Sequence, residues 1–162
     1  MRRTWPHLPA CRAGVGGAAA LTLAAVLAGC GASASPTAQS GEIRDTIRTF
    51  MRGLAEADGA RACRVLTPAG QASVIKTVGP ELKNFGIDTC AQVVHLTGIQ
   101  LTAKLREELA SATVGAVALH GSTATVRWSA ITSPGGDVGA FFGNPRPVTL
   151  VDDDGVWRIS SL

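Results

Sequence analysis

The chain reads as an α+β protein, with helices in the first half of its folded part and an antiparallel sheet in the second. Two observations predict this. Between residues 43 and 109 the apolar side chains recur at spacings of three and four, the period of a helix with one buried face. From Val114 onward they alternate every second residue between Gly- and Asp-containing turns, the period of hairpin-linked strands. Helices followed by hairpins predict N-terminal helices packed against an antiparallel sheet that wraps over a helix.

The elements follow in order. Residues 41–162 form one domain of about 120 residues, a common size for a single core. Ile43, Ile47, Phe50, Met51 and Leu54 share one helical face, while Arg44, Asp45, Arg48 and Arg52 occupy the other as a solvated surface. Ser40 is the expected cap, and Asp58-Gly59 the turn that ends the run. A short helical turn then carries Cys63 and Leu66. Thr67-Pro68 restarts a helix, threonine capping and proline at the first position, until Gly79-Pro80 stops it. Asp88 or Thr89 opens a segment bearing Cys90, Val93 and Val94, and Leu101, Leu105 and Leu109 mark one further helix. Residues 114–119 and 123–131 read as strands joined by His120-Gly121-Ser122. In the second of them Ala124, Val126, Trp128 and Ala130 share one face. Residues 148–152 and 156–160 make another hairpin across Asp153-Asp154-Gly155, with Trp157 and Ile159 as its bulky inward pair. No internal repeat is visible.

The segment before this domain has a different character. Arg2, Arg3 and Arg12 precede 17 uncharged residues, 13–29, that end in small side chains. Basic, apolar, then small is the order of a signal peptide. A membrane span needs about 20 predominantly apolar residues, and this run is shorter and thinned by four glycines. Its end, Leu27-Ala28-Gly29-Cys30, resembles the cleavage and lipidation box of bacterial lipoproteins. In that family the cysteine thiol takes a diacylglycerol with palmitate-type chains, and the preceding peptide is removed. The resemblance implies a signal peptide at residues 1–29, a lipidated flexible tether at 30–40 and the α+β domain at 41–162. It also implies a cell-membrane protein, lipid-anchored through Cys30 on the extracytoplasmic face. A signal cleaved without lipidation, or retained as an anchor, are the alternatives, and the Arg2-Arg3 pair alone is a weak sign of twin-arginine export. Residues 31–40 are small and polar with one proline, too poor in apolar surface to fold, and span about 15–20 Å on root-mean-square average.

Charge and cysteine use narrow the class further. Three of the 15 cationic residues lie in residues 1–29, which leaves 12 against 12 acids. A charge-balanced domain has no electrostatic footprint for nucleic acid. Nor does it offer a polybasic segment to assist the anchor, so attachment rests on acyl chains at roughly 0.8 kcal/mol per buried methylene. Cys11 leaves with the signal and Cys30 is the lipid site, so Cys63 and Cys90 remain. In an exported domain they are most simply a disulfide. Zinc is the rival, but the spacing is no Cys-x-x-Cys pair, and His95 and His120 complete no ligand pattern.

The folded part is similar to exported actinobacterial lipoproteins of the nuclear-transport-factor-2-like superfamily, which includes ketosteroid isomerase and SnoaL-type cyclases. Residues 50–54 with Ala55-Glu56-Ala57-Asp58-Gly59, Ala60-Arg61-Ala62-Cys63, Leu66-Thr67-Pro68 and Cys90 carry the likeness. Gly121-Ser122-Thr123-Ala124-Thr125-Val126 and Leu150-Val151-Asp152 with Gly155-Val156-Trp157-Arg158-Ile159 complete it. It implies a cone-shaped fold with a curved antiparallel sheet, and self-association into a homodimer through that sheet. These motifs are turns, caps and core positions, so they speak for fold; function belongs to the site.

Catalytic chemistry finds little here. An isomerase- or cyclase-like site needs an acid or histidine inside the cone with an oxyanion partner such as tyrosine, and the chain has no tyrosine. Asp58 and Asp88 read as turn and cap, His120 as a hairpin tip, and His95 as a surface-packed side chain. No Gly-x-Ser-x-Gly elbow or phosphate loop occurs, and Asp152-Asp153-Asp154-Gly155 lacks calcium-loop spacing. The reading leans away from an enzyme and expects no catalytic residue, metal or cofactor. The segment 132–147 is rich in Gly and Pro and contains Phe141-Phe142, which cover the core, cap an opening or touch a partner. Phe50, Trp128, Trp157, Phe141 and Phe142 are the candidate lining of any pocket, with core packing as the competing role. The expected function is binding of a small apolar ligand or a cell-envelope protein, with a structural or interaction module as the alternative.

Overall fold

The computed structural model describes residues 35–77, 86–143 and 146–162. The signal segment with Cys30 and the Gly79-Pro80 stop lie outside the described residues. Within them the protein is α+β, with helices followed by two open antiparallel sheets.

Helix α1, Pro36–Ala55, starts earlier than the sequence predicts. The expected cap at Ser40 is corrected to Ser35, whose Oγ accepts from the Ala38 N–H at 3.3 Å with Pro36 at the first helical position. A proline there loses no hydrogen bond and arrives with a helical φ, so the helix takes up residues 36–40 of the stretch read as a tether. Ile43, Ile47, Phe50, Met51 and Leu54 are all buried, as their spacing requires. Each such side chain contributes about 1.5–3 kcal/mol by leaving water.

Asp58 is not the end of a helix but the start of one. It caps α2, Gly59–Arg64, accepting from the Arg61 N–H at 2.9 Å, directly after Ala57 at φ 55° has turned the chain. Helix α3, Pro68–Thr77, follows with Thr67 Oγ1 accepting from the Gly70 N–H. Helix α4, Cys90–Gln100, opens on a capping box in which Thr89 and Gln92 satisfy each other's backbone N–H groups. Helix α5, Ala103–Ala110, buries Leu109.

The sheets depart from the two long strands expected for residues 114–131. Strands β1 (Thr113–Val114), β4 (Ile131–Ser133) and β5 (Gly136–Asp137) form one sheet, in the order β1-β4-β5. Strands β2 (Ala118–His120), β3 (Thr123–Val126), β6 (Val148–Asp153) and β7 (Val156–Ser161) form the other, in that order. The predicted hairpin is cut on both arms at one level. Its first arm breaks at residues 115–117, and its second at Arg127 and the 3-10 turn Trp128–Ala130. The Gly115 N–H still bonds to Ala130 O at 2.8 Å across the break. A Cβ on Gly115 would stand 3.2 Å from that oxygen, a tight contact that glycine avoids. The hairpin therefore turns a corner and serves both sheets.

Segment 132–147 likewise holds more order than a loop. Pro134-Gly135 closes the β4–β5 hairpin, and the short helix α6, Gly139–Phe142, carries the two phenylalanines. The β6–β7 hairpin forms where expected, with its turn shortened to two residues because Asp153 joins the strand. Asp153 pairs with Val156 across Asp154-Gly155, and Trp157 and Ile159 are buried. Strand β7 is tied at its outer side: Thr67 N–H bonds to Ile159 O, Ile159 N–H to Val65 O, and Thr46 Oγ1 to Trp157 O. One cluster of buried side chains draws on α1, α2, α4, α5 and strands of both sheets.

Cys63 on α2 and Cys90 at the start of α4 form a disulfide, with Cα atoms 6.1 Å apart. Small residues let α4 approach both α2 and the end of α1. A Cβ on Gly59 would meet Ala91 O at 2.0 Å, and one on Gly98 would meet Leu54 O at 2.6 Å. No helix among the described residues is long and apolar enough to cross a membrane.

Candidate functional site

A cavity of about 220 Å³ lies between α1, α3, α4, α6 and the residue that follows β7. Its floor is apolar and buried. Phe50 and Leu54, one turn apart on α1, face it from one side, and Val93 and Val94 of α4 from another. Helical periodicity places the first pair, since residues four apart lie above one another on one face. Its rim is half-exposed and holds Ser73 and Val74 of α3, Thr97 of α4, Phe141 and Phe142 of α6, and Leu162. Phe141, at 37% exposure, stands furthest into solvent.

The polar inventory is short. Thr97 Oγ1 donates back to Val93 O at 2.9 Å, one turn earlier, which leaves only its lone pairs for another group. The Ser73 hydroxyl makes no hydrogen bond among the described residues. Among the described residues no lining side chain is ionisable.

The aromatic residues separate into two sets. Phe50, Phe141 and Phe142 line the cavity. Trp128 does not: it lies behind the wall, its ring stacked on Phe142 with centroids 4.3 Å apart and planes 17° from parallel. Phe142 in turn meets Phe141 edge-on at 4.9 Å and 82°. Trp157 is also absent from the lining. As the second residue of β7 it points with Ile159 into the core, where the alternation of the strand puts it.

The four candidate acids and bases are dispersed and exposed. Asp58 caps α2, and the Asp88 N–H donates to Gln92 Oε1. His120 stands at the β2–β3 turn. His95 Nδ1 lies 2.9 Å from Ala57 O. A carbonyl only accepts, so Nδ1 carries the proton and the ring clips α4 to the positive-φ corner after α1. None of the four lines the cavity. Asp152 Oδ1 accepts from the Gly155 N–H at 2.7 Å, which gives the acidic run a turn-closing role. Among the described residues no group of three or more His, Cys, Asp or Glu side chains is placed to hold a metal.

Sequence reasoning missed most of the lining. Leu54 was within reach, four residues beyond Phe50, and so was Thr97, four beyond Val93. Ser73 carries no local signal: only the crossing of α3 over α4 brings it to the cavity. No protein-family model, curated protein or solved structure matches the chain.

Proposed function

We propose that this protein is a membrane-anchored extracytoplasmic lipoprotein whose domain binds a small apolar ligand and performs no chemistry on it. The observation that carries the binding half is the cavity between α1, α3, α4 and α6, whose lining among the described residues holds no ionisable side chain. Catalysis of proton transfer needs an acid or base within reach of the reacting atom, and Asp58, Asp88, His95 and His120 lie outside the lining. The anchoring half rests on the sequence, on the apolar run 13–29 ending at Cys30. The Cys63–Cys90 disulfide supports an oxidising compartment.

The cone of the nuclear-transport-factor-2-like superfamily is the fold we assign to the domain. Three features support it. The register of β6 and β7 slips by one residue at Thr149/Leu150, and such bulges bend and twist a sheet. The 115–117 and 127–130 corner turns the chain from one sheet to the other. Arg44 of α1 donates to Gly115 O at that corner and Thr46 to Trp157 O on β7, which ties one helix to both places.

A second reading, association through the sheet, is favoured by strand β2, which ends the four-stranded sheet with Ala118 and His120 exposed. The two readings part in one experiment. Protein purified from its native membranes is weighed intact, extracted for bound small molecules, and sedimented. A residue 30 carrying diacylglycerol, with a monomer that releases an apolar compound, is the expected result. An unmodified chain in the soluble fraction refutes the anchor, and a ligand-free dimer refutes the binder in favour of β2 pairing.

A further inference from the structure

Resting on the small-ligand reading above, we propose that the cavity selects a compact, uncharged molecule of one substituted ring or a fused pair, bearing a single hydroxyl that Ser73 recognises. Size sets the first limit. A cavity of about 150 Å³ holds benzene, and drug-sized ligands need roughly 300 Å³ or more; at about 220 Å³ this one lies between.

Charge sets the second. A carboxylate, phosphate or ammonium brought down among Phe50, Leu54, Val93 and Val94 meets no counter-charge on those side chains, and burying it unpaired costs far more than a hydrogen bond returns. The part of the ligand that reaches the floor is therefore neutral.

The arrangement of polarity gives orientation. The floor is wholly apolar, and both hydroxyls stand on the half-exposed rim, so a ring goes in first and its polar group stays at the mouth. Thr97 has already committed its proton to Val93 O and only accepts. Ser73, without a partner among the described residues, both donates and accepts, and so matches a hydroxyl, which does the same. Planarity comes from the wall. Phe141 and Phe142 meet edge to face, and an aromatic guest continues that packing in an offset or T-shaped contact.

The test titrates 4-ethylphenol, ethylbenzene, 4-ethylbenzoate and 1-hexadecanol into the full chain held in lipid nanodiscs. Empty discs measure partition into lipid. The phenol is expected to bind roughly fivefold more tightly than ethylbenzene, the size of one net hydrogen bond, while the benzoate and the long alcohol do not bind above empty discs. Ser73→Ala removes the phenol's advantage and leaves ethylbenzene binding unchanged; Ser73→Thr restores it. Both substitutions are mild on a half-exposed helical face, and circular dichroism confirms that each variant is folded. Equal affinity for phenol and ethylbenzene in both chains overturns the inference and leaves the small-ligand reading standing. Tight binding of hexadecanol overturns it in favour of an acyl chain. Failure of all four probes overturns both.

Discussion

Phe142 lies flat against Trp128, 4.3 Å between ring centroids and 17° from parallel, so the wall of the cavity and the corner of the sheet are one piece of aromatic packing. The arrangement has a defect: the Trp128 Nε1–H is buried without a partner, and an unsatisfied buried donor costs about 1–3 kcal/mol. Trp128→Phe keeps a ring for Phe142 to stack on and removes that donor, so it is expected within about 1.5 kcal/mol of the parent in urea unfolding. Trp128→Ala removes ring and wall together and is expected to cost about 3–5 kcal/mol. Equal losses for the two variants refute the idea that the indole N–H is a burden.

Helix packing offers a test in which two glycine substitutions move stability in opposite directions. At Gly59 a Cβ would sit 2.0 Å from Ala91 O, a backbone atom that cannot rotate away. Gly59→Ala is expected to lower stability by about 1–3 kcal/mol through forced separation of α2 and α4. At Gly41, inside α1, a Cβ meets nothing within 4 Å. Gly41→Ala is expected to raise stability by up to about 1 kcal/mol through helix propensity alone. Thermal unfolding of the pair reads both signs, and a parallel shift contradicts the close α2–α4 contact.

The Asp154-Gly155 turn carries a third prediction. Both residues have positive φ, 54° and 83°, and Asp153 pairs directly with Val156, which makes a two-residue loop of the twist-matched kind. An L side chain at a left-handed position costs roughly 1–2 kcal/mol. Gly155→Ala is expected to lose about that much in chemical denaturation, while Asp154→Asn, a residue equally at ease there, is expected to be neutral. Equal loss from both variants contradicts the assigned turn.

How much of this was legible in the sequence follows from what each residue depends on. The buried face of α1, the capping residue Thr89 and the β6–β7 hairpin are set by neighbours a few residues away, and spacing reveals them. The corner at 115–117 and 127–130 was not legible. Alternation continues through residues 123–131 whether the strand runs on or bends, and the contact that accompanies the bend, Gly115 N–H to Ala130 O, joins residues 15 positions apart. Ser35 against Ser40 is the same problem in miniature: both are good caps, and Pro36 at the first position favours the earlier one. The cavity is the extreme case. Its members come from four helices and the end of the chain, so periodicity offers Phe50 and Leu54 but cannot say which side of a neighbouring helix Ser73 and Thr97 present.

The disulfide decides how independently the helices hold together. Cys63 and Cys90 are separated by 27 positions and both are buried, and in the chain-entropy model a loop of that size is stabilised by about 3.5 kcal/mol. The paired variant Cys63→Ala with Cys90→Ala is expected to lose about that amount, less any strain relieved. Because Gly59 and Gly98 bring α4 against α2 and the end of α1 without help from the bond, the variant is expected to stay folded at low temperature, with native near-ultraviolet circular dichroism. Burial also predicts kinetics: thiol reagents reach Cys63 and Cys90 only after dithiothreitol and denaturant act together. Rapid labelling in dithiothreitol alone places the bond at the surface, and loss of all tertiary signal in the paired variant makes the bond, rather than the glycine contacts, the source of helix packing.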